Sequence, residues 1–298
     1  MNRAENIKRV EESISFKKES QVKETWRRLK KSKSAMIGLV IICIIILLAL
    51  SADLIQPYRV ATKNDVRNKL QKPSKEHWFG TDSYGRDLFA RCVHGARISL
   101  GIGLLATFAS LIVGGLLGSI AAFYGGVVDN IIMRFMDILM SIPTILLALS
   151  IVAALGSSIP NLIIAITLTR IASFVRIVRS AVLPLVGQEY IEASYACGTR
   201  DLRTIRKHIL PNAIGPIMVQ TTMSVAMIIL QTASLSFLGL GINPPTPEWG
   251  AIISEGREFL RTAPHVMFFP GVFIILSALS LNLLGDGLRD ALDPRLKS

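Results

Sequence analysis

The chain has 298 residues, of which 51% are hydrophobic and 18% charged, and 33 Lys and Arg against 21 Asp and Glu give a formal net charge of +12. Five stretches contain no Asp, Glu, Lys or Arg, namely 34–52, 98–128, 138–169, 209–247 and 262–285. These charge-free stretches exclude a soluble protein, because the helices of a soluble protein need a polar face. The basic residues flank the stretches and do not form one basic face with aromatic residues among them, which excludes nucleic-acid binding.

The N-terminal part is predicted to form a tail, a membrane anchor and a loop. Residues 1–34 contain eleven Lys and Arg and five Glu, which is too long and too mixed for the basic region of a signal peptide. We predict a cytoplasmic N-terminal tail at 1–34, a first transmembrane helix at 35–55 and an extracytoplasmic loop at 56–97. Residues 80–87 have the glycine spacing of a phosphate-binding loop but lack its Lys-Ser/Thr pair. We therefore predict a turn that leads an amphipathic helix into the second span.

Residues 98–286 are predicted to form a five-helix core. The second span, Ile98–Phe123, is rich in glycine, which lets helix backbones approach closely in a membrane. The next charge-free stretch is too long for one crossing, and turn-forming residues at 156–161 divide it. The third and fourth spans are therefore predicted at Arg134–Leu155 and Ile159–Val178.

The last two spans determine the predicted orientation. Pro211 and Pro216 open the fifth span, which continues to Phe237, and the sixth is predicted at Pro264–Leu284. Six crossings place both termini on the same side of the membrane. That side has 21 Lys and Arg and the other side 11, with Arg170 left uncounted. Since cytoplasmic segments carry the excess of positive charge, both termini, including the C-terminal tail at 287–298, are predicted to be cytoplasmic.

Sequence signatures of common enzymes are missing from the chain. There is no HExxH motif, no GxSxG nucleophile turn and no complete phosphate-binding loop. His77, His94 and His265 fall in predicted outer regions, but their spacing in the sequence does not match that of a metal site. We expect no catalytic residue, no metal site and no cofactor bound by this chain, and thus a protein that is not itself an enzyme.

The loop at 187–208, between the fourth and fifth spans, has the most informative pattern. A short helix containing Glu192 is predicted to present small side chains, followed by Gly198 in the left-handed conformation that ends helices. Asp201 is predicted to start a second short helix, and Pro211 to break the chain before the fifth span. The small side chains are Ala193, Ser194, Ala196 and Cys197. Such a helix can dock in a groove of another protein, although an ordinary amphipathic connector is the alternative.

This loop resembles the "EAA" coupling loop of ABC importer permeases. The likeness lies in Glu-Ala-Ser-x3-Gly at 192–198 and Ile-Leu-Pro at 209–211. Ser194 replaces the second alanine of the motif, and His208 replaces an isoleucine of its general form. From about residue 79 onward, further segments resemble the C-type permease of dipeptide, oligopeptide and nickel importers. These segments begin at Phe79, Gly95, Arg134, Ala233, Pro244 and Asn282.

The resemblance implies an all-α membrane protein with six transmembrane helices, the ABC importer permease fold and a cytoplasmic coupling helix. It implies a place in a bacterial or archaeal cell membrane, with membrane lipid around the chain. The implied partners are a second, B-type permease subunit, two cytoplasmic ATPase subunits that bind ATP and Mg²⁺, and an extracytoplasmic substrate-binding protein, with no nucleic acid. The implied substrates are di- or oligopeptides, with nickel or another small solute as the alternative.

The resemblance also implies that ATPase closure reaches the pore through the coupling loop. The residues implied in this coupling are Glu192, Ala193, Ser194, Gly198, Asp201 and Pro211. A stand-alone secondary transporter or channel is the alternative of a different class. It would need buried ion-coupling acids, broken helices in both halves or an internal repeat.

Three polar or helix-breaking residues inside the spans are structural or gating candidates. Asp137 lies near the inner end of the third span and, like Asp286, is predicted to pair with Arg134 or Arg289. Pro143 is predicted to kink the third span. Arg170 lies about a third of a helix deep in the fourth span, where an ionisable residue is a functional candidate.

Overall fold

The computed structural model describes residues 21–292. Residues 1–20 of the predicted N-terminal tail (1–34) and residues 293–298 of the predicted C-terminal tail (287–298) lie outside the described residues. Within the described range the chain is helical and no strand longer than an isolated bridge occurs, which confirms the predicted all-α class. The helices are α1 Gln21–Leu29, α2 Lys33–Leu50, α3 Ala52–Ile55, α4 Tyr58–Thr62, α5 Leu88–Tyr124, α6 Gly126–Ser141, α7 Thr144–Leu155, α8 Ile159–Val186, α9 Glu189–Ala196, α10 Asp201–Thr204, α11 Leu210–Phe237, α12 Trp249–Gly256 and α13 His265–Leu292.

Five helical segments are long and apolar enough to cross a membrane. They are α2, α5, α8, the continuous segment Asp201–Phe237 and α13. At 1.5 Å per residue, the 28 residues of α8 extend about 42 Å, beyond the roughly 30 Å hydrocarbon core. The remaining predicted span, the third, corresponds to α6 and α7, which together are apolar enough for a crossing but are strongly bent.

The break at Pro143 is far sharper than the predicted kink. Helices α6 and α7 meet at 85°, because both Ile142 (φ −91°, ψ 128°) and Pro143 (φ −51°, ψ 127°) leave the helical conformation. Proline disfavours the helical conformation in the residue before it and cannot donate a backbone hydrogen bond. The predicted third span, Arg134–Leu155, therefore consists of two helices, and the first starts already at Gly126.

Other helix boundaries also differ from the predicted ones. Helix α5 begins at Leu88, so the predicted loop 56–97 ends ten residues early; Asp87 caps the helix by accepting a hydrogen bond from the Ala90 amide at 2.8 Å. Helix α8 continues eight residues beyond Val178. Helix α13 extends to Leu292 and thus includes the first residues of the predicted C-terminal tail.

Glycines of α5 bring this helix against the backbone of α8. A Cβ atom at Gly114 would lie 2.5 Å from the Phe174 Cβ, and one at Gly118 would lie 2.6 Å from the Val175 carbonyl oxygen. These two glycines confirm the predicted close approach. The neighbouring Gly115 has nothing within 4 Å and takes no part in this contact.

A buried ion network joins the turn at 80–87 to α5 and α12. The carboxylate of Asp82 accepts hydrogen bonds from Arg86 Nε at 2.7 Å and from Arg91, and both arginines also pair with Glu255. All four side chains are buried or nearly so. The segment is a turn that leads into a helix, as predicted, and its guanidinium groups are already occupied by carboxylates.

Candidate functional site

Helix α9 is held at the end of the bundle where α5 ends and α11 begins. Ile191 is 1% exposed and packs in one cluster with Ile205 and Ile209, to which Val182 of α8 and Ala213 of α11 also belong. Burial of an isoleucine side chain stabilises a contact by roughly 1.5–3 kcal/mol. This contact fixes α9 to α8 and α11, so the loop is a packed unit and not a free connector.

The opposite face of α9 is exposed and combines small side chains with the acids Glu189 and Glu192. Glu192, Ala193 and Ala196 are exposed, as is Cys197 just after the helix, and Ser194 is partly buried. Within the described residues nothing covers this face. It combines a rigid helix with short side chains, and another protein can therefore approach its backbone closely.

Gly198 ends this helix in the conformation that was predicted. Its φ of +74° is left-handed, and the Thr199 amide donates to the Ser194 carbonyl at 3.1 Å, the bond that defines a Schellman helix end. A Cβ at Gly198 would meet nothing within 4 Å. The requirement for glycine is therefore conformational and not steric, since left-handed backbone costs other residues about 1–2 kcal/mol.

The chain continues from the loop into the fifth span without interruption. After α10, residues Ile205–Ile209 form a π-helical turn, in which the Leu210 amide donates to the Ile205 carbonyl, and α11 follows directly. Pro211 is the second residue of α11, so the predicted break at Pro211 is wrong. Its missing N–H is tolerated because the wider π-helical turn before it shifts the hydrogen-bond register. Residues Asp201–Phe237 thus form one continuous helical segment.

Asp201 connects the loop to α5. As the first residue of α10, it accepts a hydrogen bond from the Tyr124 hydroxyl at 3.1 Å, and Tyr124 is the last residue of α5. The acid also lies at a helix N-terminus, where negative charge is favoured. The loop therefore contacts three membrane helices, α5, α8 and α11.

The acids near the same end pair with arginines of α8 and not as predicted. Asp137 accepts a hydrogen bond from Arg176 at 2.6 Å, so the predicted pairing with Arg134 is wrong. Asp286 is exposed and forms no ion pair with Arg289 among the described residues. Sequence reasoning missed the pair of Asp129 with Arg179, a bidentate contact at 2.5 and 2.6 Å. These pairs tie α6 to α8 across helices, and spacing along one helix does not reveal them.

A second region brings together two candidates that lie apart in the sequence. A cavity of about 500 Å³ is lined by Pro143 and Thr144 at the break, by Arg170 of α8, and by Gln231 and Ser234 of α11. Arg170 Nε donates to Gln231 Oε1 at 3.2 Å. Sequence reasoning did not select Gln231, although an amide in the middle of a charge-free span is a detectable signal.

Comparison with known families and proteins gives consistent matches over the chain. Residues 114–298 match the description "binding-protein-dependent transport system inner membrane component", and residues 20–73 match the "N-terminal TM domain of oligopeptide transport permease C". The chain is 48% identical to the dipeptide transport system permease protein DppC of Alkalihalophilus pseudofirmus, over 93% of this chain and 90% of the relative. It is 46% identical to the glutathione transport system permease protein GsiD of Escherichia coli O157:H7, over 92% and 90%.

Solved structures show the same fold. The MetNI methionine ABC transporter in an inward-facing conformation aligns with a TM-score of 0.56 at 20% identity, covering 69% of this chain and 98% of the matched chain. At this identity the likeness concerns the fold alone.

Proposed function

Because the chain belongs to the family of binding-protein-dependent transport system inner membrane components, we propose that it forms half of a peptide pathway and couples that pathway to cytoplasmic ATPases. Family membership makes it a multi-pass inner membrane protein and a permease subunit of an ABC importer. It also favours an ATP-driven importer over a stand-alone transporter or channel.

One observation carries the coupling role. The small-residue face of α9 is exposed, while its other face is anchored through Ile191 to α8 and α11. A surface that is exposed, anchored to two membrane helices and followed by α10, which runs directly into α11, suits the transfer of rigid-body motion. In this proposal Glu192, Ala193, Ser194 and Gly198 contact an ATPase subunit, and Asp201 and Pro211 lie on the path into α11.

The partners follow from this arrangement. A second, B-type permease would complete the pathway, two ATPase subunits would bind ATP and Mg²⁺, and a binding protein would deliver substrate from outside. Both termini would be cytoplasmic, which places α9 on the side of the ATPases. Di- and oligopeptides are proposed as substrates because the relatives named above carry the names of a dipeptide system and a glutathione system.

A bulky residue on the exposed face of α9 tests the coupling role. The full complex, with both permeases, the ATPases and the binding protein, is reconstituted in vesicles with Ala193→Trp. We expect assembly of the permease pair but loss of most ATP-driven peptide uptake, since the indole would separate the docked surfaces. Thr262→Trp, which adds the same group at an exposed position near the opposite end of the bundle, is the control and should transport normally. Unchanged uptake by Ala193→Trp, or uptake by the subunit without ATPases, would refute the proposal.

A further inference from the structure

Arg170 is a cation inside a membrane helix without an acidic partner. Helix α8 contains three arginines, and two of them pair with carboxylates: Arg176 with Asp137, and Arg179 with Asp129. Within residues 21–292 no carboxylate pairs with Arg170, whose recorded contact is the amide oxygen of Gln231. A charged side chain at membrane depth is costly and normally faces a partner or a water-filled cavity. The structure supplies the cavity but not the anion.

The surroundings of Arg170 prepare it to bind an anion. Its Nε atom is held by Gln231 Oε1 at 3.2 Å, and the Gln231 amide nitrogen donates to Thr169 Oγ1 at 3.4 Å. This contact restrains the guanidinium, and within residues 21–292 no hydrogen bond occupies its two terminal nitrogens. A guanidinium presents parallel N–H groups that match a carboxylate in bidentate geometry. The opening is lined by the exposed Thr144, the first residue of α7.

An open apolar groove adjoins the cavity at Arg170. It has a volume of about 470 Å³, shares Leu230 and Ser234 with the cavity at Arg170, and is otherwise lined by apolar side chains such as Phe237 and Ile253. Ligand sites commonly combine an apolar wall with a few polar groups that orient the ligand. A peptide has both features, a carboxylate and, next to it, a side chain.

We propose that Arg170, positioned by Gln231, binds a carboxylate of the transported peptide inside the membrane domain. The inference rests on the proposed function, since it concerns the substrate of that pathway. It assigns the neighbouring apolar groove to a side chain of the same peptide. The break at Pro143 then has a role as well, because it opens the wall of the cavity next to the guanidinium.

A substitution of nearly identical shape gives the sharpest test. Gln231→Glu places a carboxylate beside the guanidinium and occupies it from within the protein. In vesicles containing the complete complex, uptake of a peptide with a free C-terminal carboxylate should fall about tenfold or more, the loss expected from one charge-assisted bond. Gln220→Glu introduces the same charge on α11, where Gln220 contacts Ser224 and not Arg170, and should transport like the wild type.

Arginine substitutions separate charge from shape. Arg170→Lys should retain more uptake than Arg170→Gln. Size-exclusion chromatography should show that both variants assemble with the partner subunits. The second readout uses a C-terminally amidated peptide chosen because the binding protein still captures it. The ratio of free-acid to amide uptake should fall toward one in Arg170→Gln, whereas the wild type prefers the free acid.

Several results would overturn the inference. An unchanged acid-to-amide ratio in Arg170→Gln would show that the arginine does not read the carboxylate. Equal losses for both peptides, together with increased ATPase activity in the absence of substrate, would assign Arg170 to a gate contact with a carboxylate of the second permease. A wild-type complex that takes up neither peptide would refute the proposed function itself, which distinguishes that failure from a failure of this site.

Discussion

Replacement of Gly198 tests the link between backbone conformation and coupling. The residue has a φ of +74° and free space where a Cβ would be placed, so Gly198→Ala introduces no clash and only a conformational cost of about 1–2 kcal/mol. If the docked loop needs this conformation, the population of the docked form falls about fivefold to thirtyfold, since 1.4 kcal/mol is a factor of ten. Gly198→Asn should lose less, because asparagine enters the left-handed region more readily.

The assay is ATP-driven peptide uptake by the reconstituted complex, with ATPase stimulation by the loaded binding protein measured in parallel. Gly187→Ala is the matched control: it lies in the same loop, has an ordinary φ of −91° and has nothing within 4 Å of its Cβ position. We expect uptake in the order wild type, Asn, Ala at position 198, with the control near wild type. Equal effects at Gly187 and Gly198, or no loss with alanine at Gly198, would refute the reasoning.

Three further predictions concern packing, charge and the fifth span. Gly114→Ala should lower the free energy of unfolding by about 1–3 kcal/mol, because the added methyl group overpacks against α8. Gly115 faces open space, so Gly115→Ala should leave the free energy of unfolding unchanged. Thermal unfolding in detergent measures both variants. Asp82→Asn should lower the free energy of unfolding by about 3–5 kcal/mol, because it removes one carboxylate from two buried guanidiniums. Asp53→Asn at an exposed pair should leave the melting temperature unchanged. Equal shifts of the melting temperature in the two variants would contradict this account of the network. Pro211→Ala should retain uptake, because the helix already continues through this position; a large loss would restore the predicted break.

Apolar segments could be located from the sequence because the membrane imposes a simple rule on them. The charge-free stretches predicted the positions of the five long helical segments. The end of α9 at Gly198 was predicted from the local conformational preference of glycine. Prolines were less predictable: Pro143 separates two helices at 85°, whereas Pro211 leaves its helix continuous. The difference lies in whether the flanking backbone can find other hydrogen-bond partners, which depends on the wider turn before Pro211.

Contacts between helices were the other part that the sequence could not provide. Asp137 pairs with an arginine on α8 rather than with Arg134, which lies nearby on its own helix. Arg170 was selected as a polar residue in a span, but its position opposite Gln231 and beside Pro143 depends on how three helices pack. The buried network around Asp82 also joins residues more than 150 positions apart.

Photo-crosslinking from position 193 tests the central claim most directly. A benzoylphenylalanine replaces Ala193 on the exposed face of α9, in the complete complex in native membranes, and a second sample has the same group at Thr262 as the control. We predict an adduct with an ATPase subunit from position 193 and no adduct with an ATPase subunit from position 262. Adducts from position 193 with the binding protein, and none with an ATPase subunit, would contradict the account.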